Sequence, residues 1–197
     1  MSEARAQKAE LRTRLLAARR GLTADERRAA SSALAERVRE LPPLAAAETL
    51  AAYVSMGTEP GTHALIEAIR VSGTRVLLPV LLDDNDLDWA EYQGPATLER
   101  TGRGLLEPTG VRLGPQAVTE AQAVLLPGLA VDGRGVRLGR GGGSYDRVLE
   151  RLREAGTHPA LVVLLYAHEV VASVPREPHD HLVNAAVTPE GVRRFPG

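Results

Sequence analysis

Between Gly135 and Arg147 the chain reads "GVRLGRGGGSYDR", with five glycines (135, 139, 141, 142, 143) beside three arginines (137, 140, 147). An apolar run, "AQAVLLPG" (121–128), precedes it, and a helical pattern, "SYDRVLERLREAG" (144–156), follows it. The order is therefore strand 121–126, loop 127–143, helix 144–155. In open α/β sheets the space outside the carboxyl end of a strand is where ligands bind. A helix start offers unpaired N–H groups and a positive dipole end. Glycines let the loop present further N–H groups without Cβ obstruction. Arg137, Arg140 and Arg147 add forked donors suited to phosphate oxygens. The chemistry on offer is anion binding, phosphate above all. No Gly-Lys-Ser/Thr follows, so this is not a Walker loop, and Ser144 stands where G-x-G-x-x-G needs its third glycine. Asp146, in the first helical turn, either complements the dipole or holds Mg²⁺ beside the phosphates. The competing reading is a flexible connection with solvated arginines; the abutting helix and the arginine density favour a functional loop.

The elements that must position this loop read as α/β. Leu11, Leu15 and Ala18 recur at helical steps over 4–20, and Gly21 stops that helix. Thr23 and Glu26 form a capping-box pattern for a second helix with Leu34, Val38 and Leu41 on one face, ended by Pro42 and Pro43. Strands are expected at 48–55, 75–82 (with Pro79 at an end or edge), 87–92 (exposed), 159–166 and 181–188, and a helix at 62–73. Trp89 and Tyr92 read as strand packing. Residues 93–120 are rich in Gly and Pro and give no clear pattern. Alternating strands and helices predict a largely parallel sheet covered on both faces, in a single domain over 1–197 on which the helices of 4–41 pack.

The bulk composition sets bounds on partners. The 197 residues are 44 % apolar and 25 % charged with a net charge of −1, ordinary for a globular protein and without a basic excess for nucleic acid. Aromatics are only 3 %, few platforms for base stacking. The absence of cysteine removes disulfides, thiolate nucleophiles and Cys-based zinc sites. The start, "MSEARAQKAELRTRLLAARR", alternates charge and alanine, so no secretory signal is expected, and no run has the length of a membrane span. The expectation is a cytoplasmic, monomeric protein with a small-molecule ligand.

Four stretches together resemble the 5-formyltetrahydrofolate cyclo-ligase (methenyltetrahydrofolate synthetase) family. They are "LPGLAVDGRGVRLGRGGGSYDR" (126–147), "KAELR" (8–12), "EPGT" (59–62) and "VPREPHDHLVNAAVTPEG" (174–191), in the family's order and spacing over about residues 8–191. The resemblance implies a three-layer α/β sandwich, Rossmann-like and similar to the sugar-phosphate isomerase and CoA-transferase architecture. It implies ATP- and Mg²⁺-dependent closure of 5-formyltetrahydrofolate to 5,10-methenyltetrahydrofolate. Lys8, Arg12 and the loop Arg137, Leu138, Gly139, Arg140, Gly141, Gly142, Gly143, Ser144 and Tyr145 would then hold ATP. Arg137, Arg140 and Tyr145 would take the catalytic roles, and Asp146 and Asp180 would bind Mg²⁺. Val54, Glu59 and the stretch Arg140 to Ser144 would meet the folate. Taken alone, Lys8 and Arg12 at i, i+4 read as a solvated helix face. Glu59 to Thr62 reads as a turn plus an N-cap, with Thr62 expected as the cap. His179 is assigned no role.

The chain departs from the family pattern at three places. Ser144 stands where the family has a tyrosine, Val131 where it has phenylalanine, and Glu169 in "YAHE" where it has glutamine. Ser144 and Glu169 put the folate side in question. Two rivals remain at this point: an enzyme of the same architecture acting on a phosphorylated metabolite without ATP, and a folate- or nucleotide-binding regulator that has lost turnover. The N-terminal K-x-x-L-R speaks against the first.

Overall fold

The structure, a computed structural model, describes residues 3–178 and 180–196. Helix α1 (Glu3–Gly21) buries Lys8, Leu11, Leu15 and Arg19. Those positions follow helical spacing, but the expected Ala18 is exposed and the stripe ends on Arg19 instead. One helix face thus carries a buried cation at each end. The capping box on α2 (Ala24–Val38) is present: Glu26 N donates to Thr23 Oγ1 at 3.2 Å, and Thr23 N donates to Glu26 Oε2 at 2.7 Å. Pro42 does not end α2, which stops at Val38. It opens a one-turn helix, α3 (Pro42–Ala45), because a fixed φ and a missing N–H suit a first turn.

The strands are β1 (Thr49–Ala51), β2 (Arg75–Leu81), β3 (Leu87–Glu91), β4 (Leu98–Arg100), β5 (Leu106–Pro108), β6 (Ala123–Pro127), β7 (Ala130–Val131), β8 (Arg137–Leu138), β9 (Ala160–Leu164), β10 (Ala185–Thr188) and β11 (Gly191–Arg194). Seven of them form one sheet in the order β11-β10-β9-β6-β1-β2-β3. The inner strands β10, β9, β6, β1 and β2 run parallel, and β3 and β11 close the edges antiparallel. From β1 the chain builds outward through β2 to one edge; from β6 it builds the other way. The boundary between β1 and β6 is therefore a topological switch point, where a crevice opens beyond the carboxyl ends of the strands.

Helices cover both faces. Leu34 of α2 and Leu65 and Ile66 of α4 (His63–Val71) pack with Leu50, Leu125 and Val187 on one side. Val148, Leu149 and Leu152 of α5 (Ser144–Glu154) pack with Leu77, Leu126 and Val163 on the other. This is the expected three-layer α/β architecture. A third cluster joins Leu11 and Leu15 of α1 to Leu129, Ala130, Val136 and Leu138. That packing fixes the ribbon β7–β8, which replaces the unstructured loop expected over 127–143. Gly135 (φ +83°) makes its turn; a Cβ there would stand 2.7 Å from the Val183 carbonyl oxygen.

Four differences from the expected elements have physical causes. The strand expected at 48–55 ends at Ala51, because Ala52, Tyr53 and Val54 stay buried while leaving the ladder for the crevice. The strand expected to be exposed, now β3, has a fully buried Trp89, since the 93–120 segment wraps it: Leu113 N donates to Trp89 O at 2.8 Å and Gly114 N to Asp88 Oδ1 at 2.8 Å. Pro79 lies beyond the last β1–β2 pair, Ala51 with Leu77, so its missing N–H costs no bond to β1. Polar β11 was not expected; as an antiparallel edge it needs no buried face. Among the described residues no helix is long and apolar enough to cross a membrane.

Candidate active site

The crevice at the switch point is a cavity of about 480 Å³. Its lining includes Lys8, Arg12, Val54, Glu59, every residue from Arg137 to Asp146, and Asp180. The residues that the resemblance assigns to ATP, folate and Mg²⁺ thus all line it; Arg147, expected beside the phosphates, does not, and donates to the Asp84 carbonyl at 2.8 Å instead, while His179 lies outside the described residues.

The glycine loop forms one end. Arg137 leaves β8 and folds back, donating from Nη1 to the Pro127 carbonyl at 2.8 Å and from Nη2 to Asp146 Oδ1 at 3.2 Å. Burial draws its pKa down, opposed by Asp146. Gly139 allows this fold-back, since a Cβ there would meet Arg137 Nη1 at 3.0 Å. Gly141 (φ +97°) and Gly143 (φ +78°) carry the backbone through the left-handed region. Gly143 is the N-cap of α5 and no side chain among the described residues caps that end, which leaves first-turn N–H groups for an anion. Arg12 holds the loop from α1, donating from Nε to the Gly139 carbonyl at 2.9 Å.

Two buried polar atoms at this end have no partner among the described residues: Arg137 Nε and the Tyr145 hydroxyl. Burial also pushes the Tyr145 hydroxyl well up, with Glu59 adding to it, so the phenol stays a neutral donor. A buried orphan donor is costly unless something else satisfies it. Both belong to residues on the cavity wall, which fits a bound anion or polar ligand.

Opposite charges line the cavity in pairs. Lys8, only 5 % exposed, donates to Asp180 Oδ1 and Oδ2 at 2.9 and 2.7 Å and to Glu177 Oε2 at 3.0 Å. Asp180 Oδ2 also accepts from Glu177 N at 2.7 Å. Arg140 reaches across to Glu59 at 3.5 Å. Glu59 is held from its own turn, accepting from Met56 N at 2.9 Å. Asp146 has a half-exposed side chain and one contact at 3.2 Å. Of the two expected metal ligands, Asp146 has the free oxygen; Asp180 is committed to Lys8. Mg²⁺ commonly takes one or two carboxylates and completes its shell with phosphates and water, so the donor set fits Mg²⁺ accompanied by a nucleotide. Among the described residues no group of three or more acidic or histidine side chains gathers as a metal cage.

The other end is apolar. Pro79 and Leu81 of β2, Leu87 of β3, Leu105, Leu106 and Met56 form the wall. The segment that gave no sequence pattern, 93–120, therefore contributes to the cavity through its hairpin β4–β5. Glu107 fixes that hairpin by accepting from Leu81 N at 2.9 Å.

Sequence reading missed Tyr53, Arg5 and Glu177, all on the lining. Tyr53 sits in a continuous apolar run with nothing to distinguish it from core; burial, then Glu59 and Tyr145, push its hydroxyl well up. Thr62 stands at the N-cap of α4 without capping it. Its hydroxyl donates to the Tyr53 carbonyl at 2.7 Å and accepts from Ser55 N at 2.8 Å, shaping the strand exit instead. Glu169 is not on the cavity. It is fully buried against Arg19, so its charge is neutralised away from the ligand space. Ser144 does lie on the cavity, as the first residue of α5.

The fold and the site define an α/β protein with a cavity at a sheet switch point, where a glycine- and arginine-rich loop meets apolar side chains. Residues 4–189 match the 5-formyltetrahydrofolate cyclo-ligase family, and the chain belongs to it. It is 37 % identical over 188 residues to the 5-formyltetrahydrofolate cyclo-ligase of Mycolicibacterium smegmatis, covering 93 % of this chain and 94 % of the relative. It is 32 % identical over 178 residues to that of Escherichia coli K12, covering 88 % and 96 %. A solved structure of Aquifex aeolicus 5,10-methenyltetrahydrofolate synthetase superposes with a TM-score of 0.81 at 29 % identity, covering 96 % of this chain and 93 % of the other. A Mycoplasma pneumoniae 5,10-methenyltetrahydrofolate synthetase shares the fold at a TM-score of 0.72 and 17 % identity, covering 92 % and 98 %.

Proposed function

We propose that the protein catalyses the ATP- and Mg²⁺-dependent cyclisation of 5-formyltetrahydrofolate to 5,10-methenyltetrahydrofolate, releasing ADP and phosphate. The observation that carries this reading is the convergence of four separated motifs on one cavity whose two ends differ in chemistry. One end has Lys8, Arg12, Arg137, Arg140 and an uncapped helix start; the other is apolar. ATP supplies the phosphoryl group that turns the formyl oxygen into a leaving group. The substrate's own N10 closes the ring, so no protein nucleophile is needed.

The chain's work is positioning and charge neutralisation. The loop N–H groups from Gly139 to Tyr145, with Arg12 and Arg137, hold phosphate oxygens. Arg137 Nε and the Tyr145 hydroxyl, orphaned otherwise, gain partners there. Asp146 is the residue to hold Mg²⁺, with Asp180 keeping the Lys8 ammonium in place. Glu59, with Val54 beside it, accepts hydrogen bonds from the pterin edge. Arg140 links both ends and leaves Glu59 for a phosphate as the site fills. Ser144, smaller than the family's tyrosine, leaves more room at its place on the cavity wall. The reading is of a monomeric enzyme acting in the cytoplasm on a small-molecule folate.

The test is direct. Protein, 5-formyltetrahydrofolate, Mg²⁺ and ATP are mixed and the methenyl product's absorbance followed. The expected result is product formation that stops when either ATP or Mg²⁺ is withheld. Intact folate binding without turnover would replace this reading with the regulator.

A further inference from the structure

The turn of the β7–β8 ribbon, Asp132 to Val136, carries a polar network of its own beside the cavity. Asp132 is fully buried. Its Oδ1 accepts from Arg134 N at 2.9 Å and Val136 N at 3.2 Å. Its Oδ2 accepts from Arg134 Nη2 at 2.7 Å, Arg134 Nε at 3.1 Å and Val174 N at 3.1 Å. Arg134 Nη2 also donates to the Val174 carbonyl at 3.1 Å. Both backbone polar groups of Val174 are therefore held by the ribbon turn. Further along the chain the same turn takes hold again: Val183 N donates to the Gly135 carbonyl at 2.9 Å, and Leu182 bridges Val136. Between these two attachments lie Glu177 and Asp180, the carboxylates that hold the Lys8 ammonium. Val174 also packs in the cluster with Leu11 and Leu15, on the helix that carries Lys8. Neither Asp132 nor Arg134 is on the cavity wall.

We infer that Asp132 and Arg134 are positioning residues for the ATP end of the site. By gripping both ends of the stretch that carries Glu177 and Asp180, the ribbon turn sets where the Lys8 ammonium stands. The inference rests on the cyclo-ligase reading, which gives Lys8 to the phosphates of ATP. A lysine ammonium is a point charge on a flexible four-carbon stem, so carboxylates orient it only if they are themselves fixed. Glu177 and Asp180 brace each other, with Glu177 N donating to Asp180 Oδ2 at 2.7 Å and Asp180 N to the Glu177 carbonyl at 3.0 Å. That local turn has no means of fixing its own place relative to α1; the attachments at Val174 and Val183 supply it. Hydrogen bonds to an ionised carboxylate are stronger than neutral ones, which suits Asp132 to hold a segment without regular secondary structure. Small displacements of a positioned charge are costly, because phosphoryl transfer depends on geometry more than on any one group.

The experiment measures ATP binding by calorimetry, and steady-state turnover, for the full chain and for Arg134→Gln, Asp132→Asn, Lys8→Met and the Lys8→Met/Arg134→Gln pair, each well below its melting temperature. The Arg134 side chain is 59 % exposed, so Arg134→Gln leaves Asp132 its backbone donors and the fold in place. In that variant the Kd and KM for ATP should rise about threefold to tenfold, the worth of one charge-assisted bond, with the KM for folate unchanged. Asp132→Asn should move ATP in the same direction by about tenfold or more. Once Lys8 is methionine, Arg134→Gln should alter ATP binding by less than about twofold, because the two act as one unit. A purely structural role would lower the active fraction, and with it kcat, while both KM values stayed in place; that pattern overturns the inference. So does an ATP Kd unmoved in Arg134→Gln, a joint rise of both KM values, or an Arg134→Gln effect that persists in full without Lys8. If Asp132→Asn does not fold, Arg134→Gln decides the matter alone. Absence of turnover in the unaltered protein would strike the cyclo-ligase reading, and the comparison of ATP Kd values would still decide on the positioning role.

Discussion

Replacing Glu169 with alanine is expected to cost about 3–5 kcal/mol, the range for removing one member of a buried ion pair. Glu169 is 0 % exposed and Arg19 1 % exposed. The pair is bidentate, with Arg19 Nε to Oε1 at 2.6 Å and Nη2 to Oε2 at 2.9 Å. Burial disfavours the guanidinium charge, and the Glu169 bonds outweigh it, so Arg19 holds its proton more tightly than usual. In Glu169→Ala the cation keeps only the Gly128 carbonyl at 2.6 Å and the face of Tyr166 at 5.7 Å. A chain of this size loses roughly 2–4 °C of melting temperature per kcal/mol, so a fall of about 6–20 °C follows. Thermal unfolding followed by circular dichroism reads it. Glu169→Gln, which keeps an oxygen acceptor, should fall less. Removing both charges in Arg19→Met with Glu169→Leu should recover much of the loss, because no ion is left unpaired. The reasoning is refuted if Glu169→Ala melts within about 2 °C of the unaltered protein, the effect of an ordinary surface change. A double variant less stable than the single one would refute it as well.

Three further outcomes are expected. Tyr166→Phe removes the hydroxyl that donates to the Thr58 carbonyl at 3.0 Å and steadies the turn carrying Glu59. The KM for folate should rise about twofold to tenfold with kcat and the KM for ATP little changed, the worth of one hydrogen bond; a change confined to ATP would contradict it. Asp146→Asn keeps an acceptor for Arg137 but loses the charge for Mg²⁺. Titration of turnover with Mg²⁺ should show a shift of about tenfold or more to higher metal, while the melting temperature moves little. Asp132 is buried, which alone would raise its pKa, but Arg134 and the Val174, Arg134 and Val136 N–H groups hold it below the usual range. A depressed carboxyl contributes stability above its unfolded pKa of about 3.9 and loses it as pH falls through the folded value. The unaltered protein should therefore lose stability below about pH 4, and Asp132→Asn should be less stable at neutral pH with a flatter acid limb; denaturant midpoints against pH measure it.

Much of this protein is legible along the chain, because the responsible physics is local. The Thr23–Glu26 box involves residues three apart. The glycine loop declares itself by a strand before it and a helix start after it. The apolar stripe of α1 follows a period of about 3.6 residues, although periodicity alone chose Ala18 over Arg19. Motif order along the chain carried the family, and with it a set of residues that line one cavity.

Tertiary structure alone decided which side chains meet. Lys8 finds Asp180 across 172 positions, Arg19 finds Glu169 across 150, and Arg140 finds Glu59 across 81. Local periodicity holds no information about such distances; they are set where β1 and β6 become neighbours through crossovers. The same placement turned Glu169 from a suspected charge in the folate pocket into a buried partner of α1. It also gave the unpatterned 93–120 segment its place, covering Trp89 and walling the cavity, since a segment without its own apolar period acquires order only from the surface it covers.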